Sequence, residues 1–164
     1  MSCKTTKQLY SQKKSLKSEK IWYFRFDFEL NNKKLNKVLI ENLIIASTLK
    51  SPEVKFNING ELLIAGISIP EDSILFYKPL FLWLEEFKKT SPKALDLILK
   101  LEYMNTSSVR IILKFLQGLV ALSKENIKLT IKWVYDFDDA DICEQGEIIQ
   151  GSIKFPIEII EQRP

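Results

Sequence analysis

The chain has 164 residues, 46% hydrophobic and 27% charged, which is one domain's worth of sequence with an ordinary globular composition. It contains no histidine, so a Ser-His-Asp triad, a Cys-His dyad, a phosphohistidine carrier and every His-ligated metal site are excluded. The net charge of +3 joins unlike parts, +7 over residues 1–37 and −4 over the remainder, so the basic balance belongs to the N-terminal segment and not to the body.

Residues 1–20 are polar and Lys-rich, with little to pack, and are expected to be disordered. Ile21–Leu30 sets Trp22, Phe24, Phe26 and Phe28 against Arg25, Asp27 and Glu29, an alternation that predicts a strand. Residues 31–41 read as an Asn/Lys-rich linker, and Leu43–Ser47 is a short apolar run. Glu53–Ile58 and Glu61–Gly66 flank Asn59-Gly60, which predicts a hairpin closed by a type I′ turn. Pro70-Glu71-Asp72-Ser73 opens a helix with acids in its first turn. Its apolar face is Ile74, Tyr77, Leu80, Leu84 and Phe87, and Pro79 is expected to kink it.

Leu95, Leu97, Leu99, Leu101 and Tyr103 alternate with Asp96, Lys100 and Glu102 in a long strand with one buried face. Asn105-Thr106-Ser107-Ser108 follows and starts a second helix, striped by Val109, Ile112, Phe115, Leu116, Leu119 and Val120, with Gly118 set inside for close packing. Ile127, Leu129, Ile131, Trp133 and Tyr135 alternate in the next strand. Asp136 to Ile149 is acidic and predicts a third helix. Ile153–Ile160 is a last strand, marked as an edge by Pro156. The order is strand, hairpin, helix, strand, helix, strand, helix, strand, which implies an α/β fold: a single mixed sheet with about three packed helices.

Catalytic motifs are missing. There is no GxGxxG, GxxxxGK[ST] or GxSxG, and the five glycines are too dispersed to cradle a phosphate. Cys3 and Cys143 are too few for a zinc ribbon or disulfide framework and fit a reducing compartment. No apolar run approaches the ~20 residues that span a bilayer, and no secretory h-region follows the basic start, so a cytoplasmic protein without a membrane segment is expected. Asp136, Asp138, Asp139, Asp141, Glu144 and Glu147 form an acidic cluster that could hold a divalent cation. Counted as an EF-hand loop from Asp136, it has Glu147 at position 12 but Asp141 in place of the glycine at position 6. A small metal- or ligand-binding domain using this cluster is the alternative function. A nucleic-acid binder working through the basic arm is a weaker one.

Asn105-Thr106-Ser107-Ser108 joins a buried strand to a helix start. Asn, Thr and Ser are the residues that cap helices, and a hydroxyl there is also a suitable phosphoacceptor, because free backbone N–H groups can receive the phosphate. Ser107 or Ser108 is expected to cap, or to be an alternative phosphoacceptor, with Thr106 the residue modified.

Six segments occur in order: Ser51-Pro52-Glu53-Val54-Lys55-Phe56, Gly60-Glu61-Leu62, Ile69-Pro70-Glu71, Phe76-Tyr77-Lys78-Pro79-Leu80, Leu101 to Ser108 and Ile131 to Asp136, with N-T-S-S after L-E-Y the most diagnostic piece. By these segments residues 41–164 resemble the SiaC family of bacterial regulatory phosphoproteins. Met104 stands where an aromatic is frequent, and Arg110 where Lys is usual. The resemblance implies a fold similar to the anti-sigma-factor antagonist type and a non-enzymatic switch without catalytic residues, metal or cofactor. Thr106 would be phosphorylated by a Ser/Thr kinase with a histidine-kinase-like ATPase fold. A PP2C-like phosphatase would reverse this. The unphosphorylated form would bind and activate a diguanylate cyclase, raising cyclic di-GMP and favouring biofilm. Residues 1–40 are then an extension outside the domain. Family members start just before a segment like Glu41 to Ala46, which places the usual initiator at Ile40 and makes untranslated sequence one reading of residues 1–40. A genuine basic arm is the other, favoured by the strand signal at Ile21–Leu30.

Overall fold

The computed structural model describes residues 40–163. The expectations for residues 1–39, including the strand at Ile21–Leu30 and the basic arm, lie outside the described residues. In chain order the elements are β1 (Leu43–Ile45), β2 (Glu53–Phe56), β3 (Glu61–Ser68), α1 (Ser73–Lys88), β4 (Ala94–Met104), α2 (Thr106–Ser123), β5 (Lys128–Asp136), α3 (Ala140–Ile153) and β6 (Glu158–Gln162).

The strands form one six-stranded sheet in sequential order, β1-β2-β3-β4-β5-β6. β1, β2 and β3 are antiparallel neighbours, whereas β3 to β6 run parallel and are joined by the three helices. Parallel neighbours connected in sequence by right-handed crossovers carry all their helices on one face. The burial pattern agrees. Leu95, Leu97, Leu99 and Leu101 of β4 are buried, while Asp96, Ile98 and Glu102 between them are exposed. The inward residues of β2 to β5 meet α1 and α2 in one apolar core around Phe56, Tyr77, Phe87, Phe115 and Trp133. Phe56 packs edge-on to Trp83 and stacks with Phe115.

Several local expectations are corrected. The hairpin turn covers Asn57 to Gly60, closed by the Gly60 N–H donating to the Asn57 carbonyl at 2.9 Å. Only Gly60 has positive φ, at 96°, so the turn is not type I′. The Asn59 side chain is used instead, accepting from the Glu61 N–H at 3.1 Å. Glu71 and Asp72 precede α1 rather than forming its first turn, and Asp72 is the N-cap, its carboxylate accepting from Leu75 N at 2.9 Å. α1 runs continuously through Pro79. Its buried stripe is Ser73, Tyr77, Leu80, Trp83, Leu84 and Phe87, so the stripe begins at a serine, and Ile74 is 59% exposed. The final strand begins at Glu158, because α3 continues to Ile153 and ends on Lys154 in the left-handed conformation at φ 53°. β6 lies at the sheet edge as expected, with Pro156 before it.

α2 is an 18-residue helix with mean hydropathy 1.2, long and apolar enough by that measure to cross a membrane, contrary to the count of apolar runs. Its Ile112, Phe115, Leu116 and Leu119 are all at most 1% exposed within the domain core, which is where its apolar character is used. Gly118 does not serve close packing, since a Cβ there would meet only Leu84 Cδ2 at an ordinary 3.8 Å. Gly146 of α3 does. A Cβ there would lie 2.7 Å from Trp133 Cδ1, and the same indole donates from Nε1 to the Ile142 carbonyl at 2.9 Å.

These two glycines should respond oppositely to one methyl group. Gly146→Ala is expected to lower unfolding free energy by about 1–3 kcal/mol through overpacking against the fixed indole. Gly118→Ala should raise it by up to about 1 kcal/mol, the usual gain over glycine inside a helix. Urea denaturation of both variants checks this, and a neutral Gly146→Ala would refute the close contact.

Candidate functional site

The parallel ladder between β3 and β4 ends at Ser68 opposite Met104. One further hydrogen bond, from Asn105 N to the Ser68 carbonyl at 3.1 Å, holds the chain where it leaves the sheet. Asn105 is still extended, with φ −79° and ψ 163°, and the residue after it is helical. The N-cap is therefore Asn105, not Ser107 or Ser108 as the composition of the turn suggested. Its Oδ1 accepts from Ser108 N at 2.8 Å and from Ser107 Oγ at 2.9 Å. The cap is set by where the ladder stops, which the run of four cap-forming residues does not reveal.

Thr106, Ser107 and Ser108 are the first three residues of α2, and their hydroxyls meet three different fates. Ser108 is fully buried. Ser107 is exposed, but its Oγ is tied to Asn105 and lies 2.7 Å from Ser73 Oγ, in the first turn of α1. Ser73 is 4% exposed and stands 3.4 Å from Ser108 Oγ. The Asn105 Oδ1 acceptor fixes the direction of this chain. Ser107 donates to Asn105, so Ser73 donates to Ser107, which leaves Ser108 to donate to Ser73. Thr106 is exposed, and its hydroxyl makes no hydrogen bond among the described residues. Arg110, four residues further and so on the same helix face, is exposed and forms no ion pair among the described residues.

A second buried contact ties the same elements together. Ser68 Oγ and Tyr77 Oη are 2.7 Å apart, linking the end of β3 to α1. Burial pushes the Tyr77 phenol up to about 12, with the Ser68 hydrogen bond acting in the opposite sense. Ser68 is not singled out by the sequence, and Ser73 and Tyr77 stand out there only as the helix opening and part of its apolar face. The available signal was Ser73 standing at the head of the helical spacing 73, 77, 80, 84, 87.

Large apolar side chains are exposed on the elements that meet at this C-terminal end of the parallel strands. Ile74 and Leu75 of α1 are 59% and 67% exposed, Tyr103 of β4 57%, and Phe137, just after β5, 57%. Leu49 is 92% exposed in the β1–β2 loop at the same end. That loop is held to the β3–α1 connection by Ile69 N donating to the Lys50 carbonyl at 2.8 Å and by the Lys50–Glu71 ion pair at 3.0 Å.

The acidic cluster is not assembled into a metal site. Asp139 is the N-cap of α3, accepting from Ile142 N at 3.0 Å, and from Ala140 onward the segment is helical and cannot wrap an ion as an EF-hand loop does. Among the described residues no three Asp, Glu or Cys side chains come together to hold a metal ion.

The sequence of residues 45–162 matches the description "SiaC family regulatory phosphoprotein". The chain belongs to the SiaC family. It is 27% identical over 121 residues to an uncharacterised protein of Pseudomonas aeruginosa strain UCBPP-PA14, covering 73% of this chain and 96% of that protein. Among solved structures, SiaC of Pseudomonas aeruginosa superposes with a TM-score of 0.68 at 27% identity, over 74% of this chain and 99% of that one. A second similar structure is that of the diguanylate cyclase SiaD in complex with its activator SiaC from Pseudomonas aeruginosa. Its TM-score is 0.69 at 27% identity, over 73% of this chain and 99% of that one. The mixed six-stranded sheet with three helices is thus the SiaC fold.

The Tyr77–Ser68 contact predicts the alkaline limit of the domain. The phenol titrates near 10 when unfolded and is raised to about 12 when folded, so its contribution is complete below pH 10 and is lost as pH rises from 10 towards 12. Over that window Tyr77→Phe should lose about 3 kcal/mol less stability than the unaltered chain. Denaturant midpoints at pH 9, 10, 11 and 12 measure this, and parallel pH curves for the two proteins would contradict it.

Proposed function

We propose that this SiaC-family chain is a non-enzymatic regulatory protein switched by reversible phosphorylation of Thr106. Its unphosphorylated form binds and activates a diguanylate cyclase, as the SiaC of the similar complex activates SiaD. The observation that carries the residue assignment is the sorting of the three hydroxyls. Ser108 is buried, Ser107 is engaged on both sides, and Thr106 is exposed, its hydroxyl unbonded among the described residues. Writing requires a Ser/Thr kinase, for which the family implies a histidine-kinase-like ATPase fold. The γ-phosphoryl group of ATP passes to Thr106 Oγ1, the hydroxyl proton goes to a base of the kinase, and ADP leaves. Erasing requires a phosphatase of the PP2C-like class, which hydrolyses the ester to threonine and inorganic phosphate. The nucleotides involved make this a cytoplasmic protein, and the domain that carries the switch is residues 41–164, with residues 1–40 an extension.

The electrostatics support a switch that leaves the fold alone. A phosphate at the first residue of α2 adds nearly two negative charges at the positive end of a helix, beside N–H groups of the first turn and one turn from Arg110. The helix therefore tolerates it. The exposed Ile74 and Leu75 in the first turn of α1, with Tyr103 near the end of β4 and Phe137 just after β5, suit burial against a partner at this end of the sheet, and a charge carried into such an interface costs several kcal/mol unless paired. One modification thus spares folding and penalises docking.

Phosphopeptide mapping of the full chain after reaction with its kinase should find phosphate on Thr106, and phosphate confined to other residues would sink the assignment. Thr106→Ala should abolish modification and keep cyclase activation permanently available. It should change stability by no more than about 0.5 kcal/mol, since its hydroxyl makes no hydrogen bond among the described residues. Asn105→Ala, which removes the actual cap, should cost about 1 kcal/mol or somewhat more. Equal stability losses in the two variants would mean that Thr106 is structural.

A further inference from the structure

The turn presents two exposed hydroxyls side by side, on Thr106 and Ser107, and a kinase that reaches one can reach the other. We infer that Ser73, on a different helix, decides between them by holding the Ser107 hydroxyl out of phosphoryl transfer. This rests on the proposed phosphorylation of the turn and adds to it a specificity-determining residue outside the modified segment.

The argument is one of hydrogen-bond accounting. An attacking hydroxyl must turn a lone pair towards phosphorus and release its proton to a base. Ser107 Oγ has its proton committed to Asn105 Oδ1 at 2.9 Å and one lone pair occupied by the Ser73 hydroxyl at 2.7 Å. Both bonds must break before it can attack. Thr106 Oγ1 has no such bond among the described residues and attacks without that cost. The Ser73 bond is also the one that water replaces least readily, because Ser73 is 4% exposed and sits between Ser107 and the fully buried Ser108. Ser73 touches neither nucleotide nor phosphorus in this scheme, so it is a positioning residue acting through Ser107. Phosphoryl transfer to either hydroxyl has the same balance: ATP gives its γ-phosphoryl group to the oxygen, the hydroxyl proton leaves to the kinase's base, and ADP departs.

The test maps phosphate on the full chain purified from cells that contain its kinase, comparing the unaltered protein with Ser73→Ala and Ser73→Thr. Ser73→Ala should raise the ratio of phospho-Ser107 to phospho-Thr106 about tenfold, the weight of one hydrogen bond. Ser73→Thr keeps the hydroxyl and should preserve the original ratio, a rescue that a purely structural role would not require. In a Thr106→Ala background phosphate on Ser107 should stay at a trace level, and adding Ser73→Ala should raise it about tenfold. Thermal melts check that each variant folds. If Ser73→Ala does not, Ser73→Cys, of similar size and a weaker donor, should show a smaller rise in the same direction. A folded Ser73→Ala protein with an unchanged ratio overturns the inference while leaving the phosphorylation of Thr106 intact. An unaltered chain without phosphate on Thr106 overturns the phosphorylation itself.

Discussion

A crossover between adjacent parallel strands can pack its helix on only one face if it is right-handed, and this constraint organises the molecule. β3, β4, β5 and β6 follow one another in both sequence and space, so α1, α2 and α3 share a face and their N-termini share an end of the sheet. Everything functional described above is a consequence of that shared end. The start of α1 meets the start of α2 there, the β1–β2 loop is pinned beside them, and Leu49, Ile74, Leu75, Tyr103 and Phe137 are exposed at the same end.

The meeting of two helix starts is stabilised in a form that leaves one group spare. Each helix takes its cap from the residue before it, Asp72 for α1 and Asn105 for α2, so the hydroxyls of Ser73 and Ser107 are free to bridge between helices. Ser68 and Tyr77 make a second, fully internal bridge from the sheet to α1. Polar groups buried at this density are tolerated because each has a partner. Thr106 sits outside the bonded set, on the solvent side of a turn whose geometry does not depend on its side chain. A modification there can alter surface charge without touching the bonds that define the surface.

The β5–α3 side of the core shows the same economy of contact. α3 approaches β5 closely enough that only glycine fits at position 146, over the indole of Trp133, and that indole returns a hydrogen bond to the helix at Ile142. The acidic residues at the start of α3 are divided between capping and solvent, which is why their abundance does not amount to an ion site.

The amino-acid sequence by itself determined the class of fold, the order of elements in residues 53–162 and the position of the N-T-S-S turn at a helix start, whereas Leu43–Ile45 read only as a short apolar run. These are properties of local periodicity: alternation in β4 and β5, helical spacing in α1 and α2, and short polar residues between them. The family resemblance was legible for the same reason, since its most specific piece is one contiguous run. Residues distant in sequence were not legible. That Asn105 and not a serine is the cap depends on where the pairing of β3 with β4 stops, and that Ser73 points inward depends on Ser107 waiting for it 34 positions away. Gly146 and Gly118 look alike in their helices, and only the indole of Trp133 separates them. Tertiary structure decided these points because a hydrogen bond or a steric contact between elements has no period for a sequence to display.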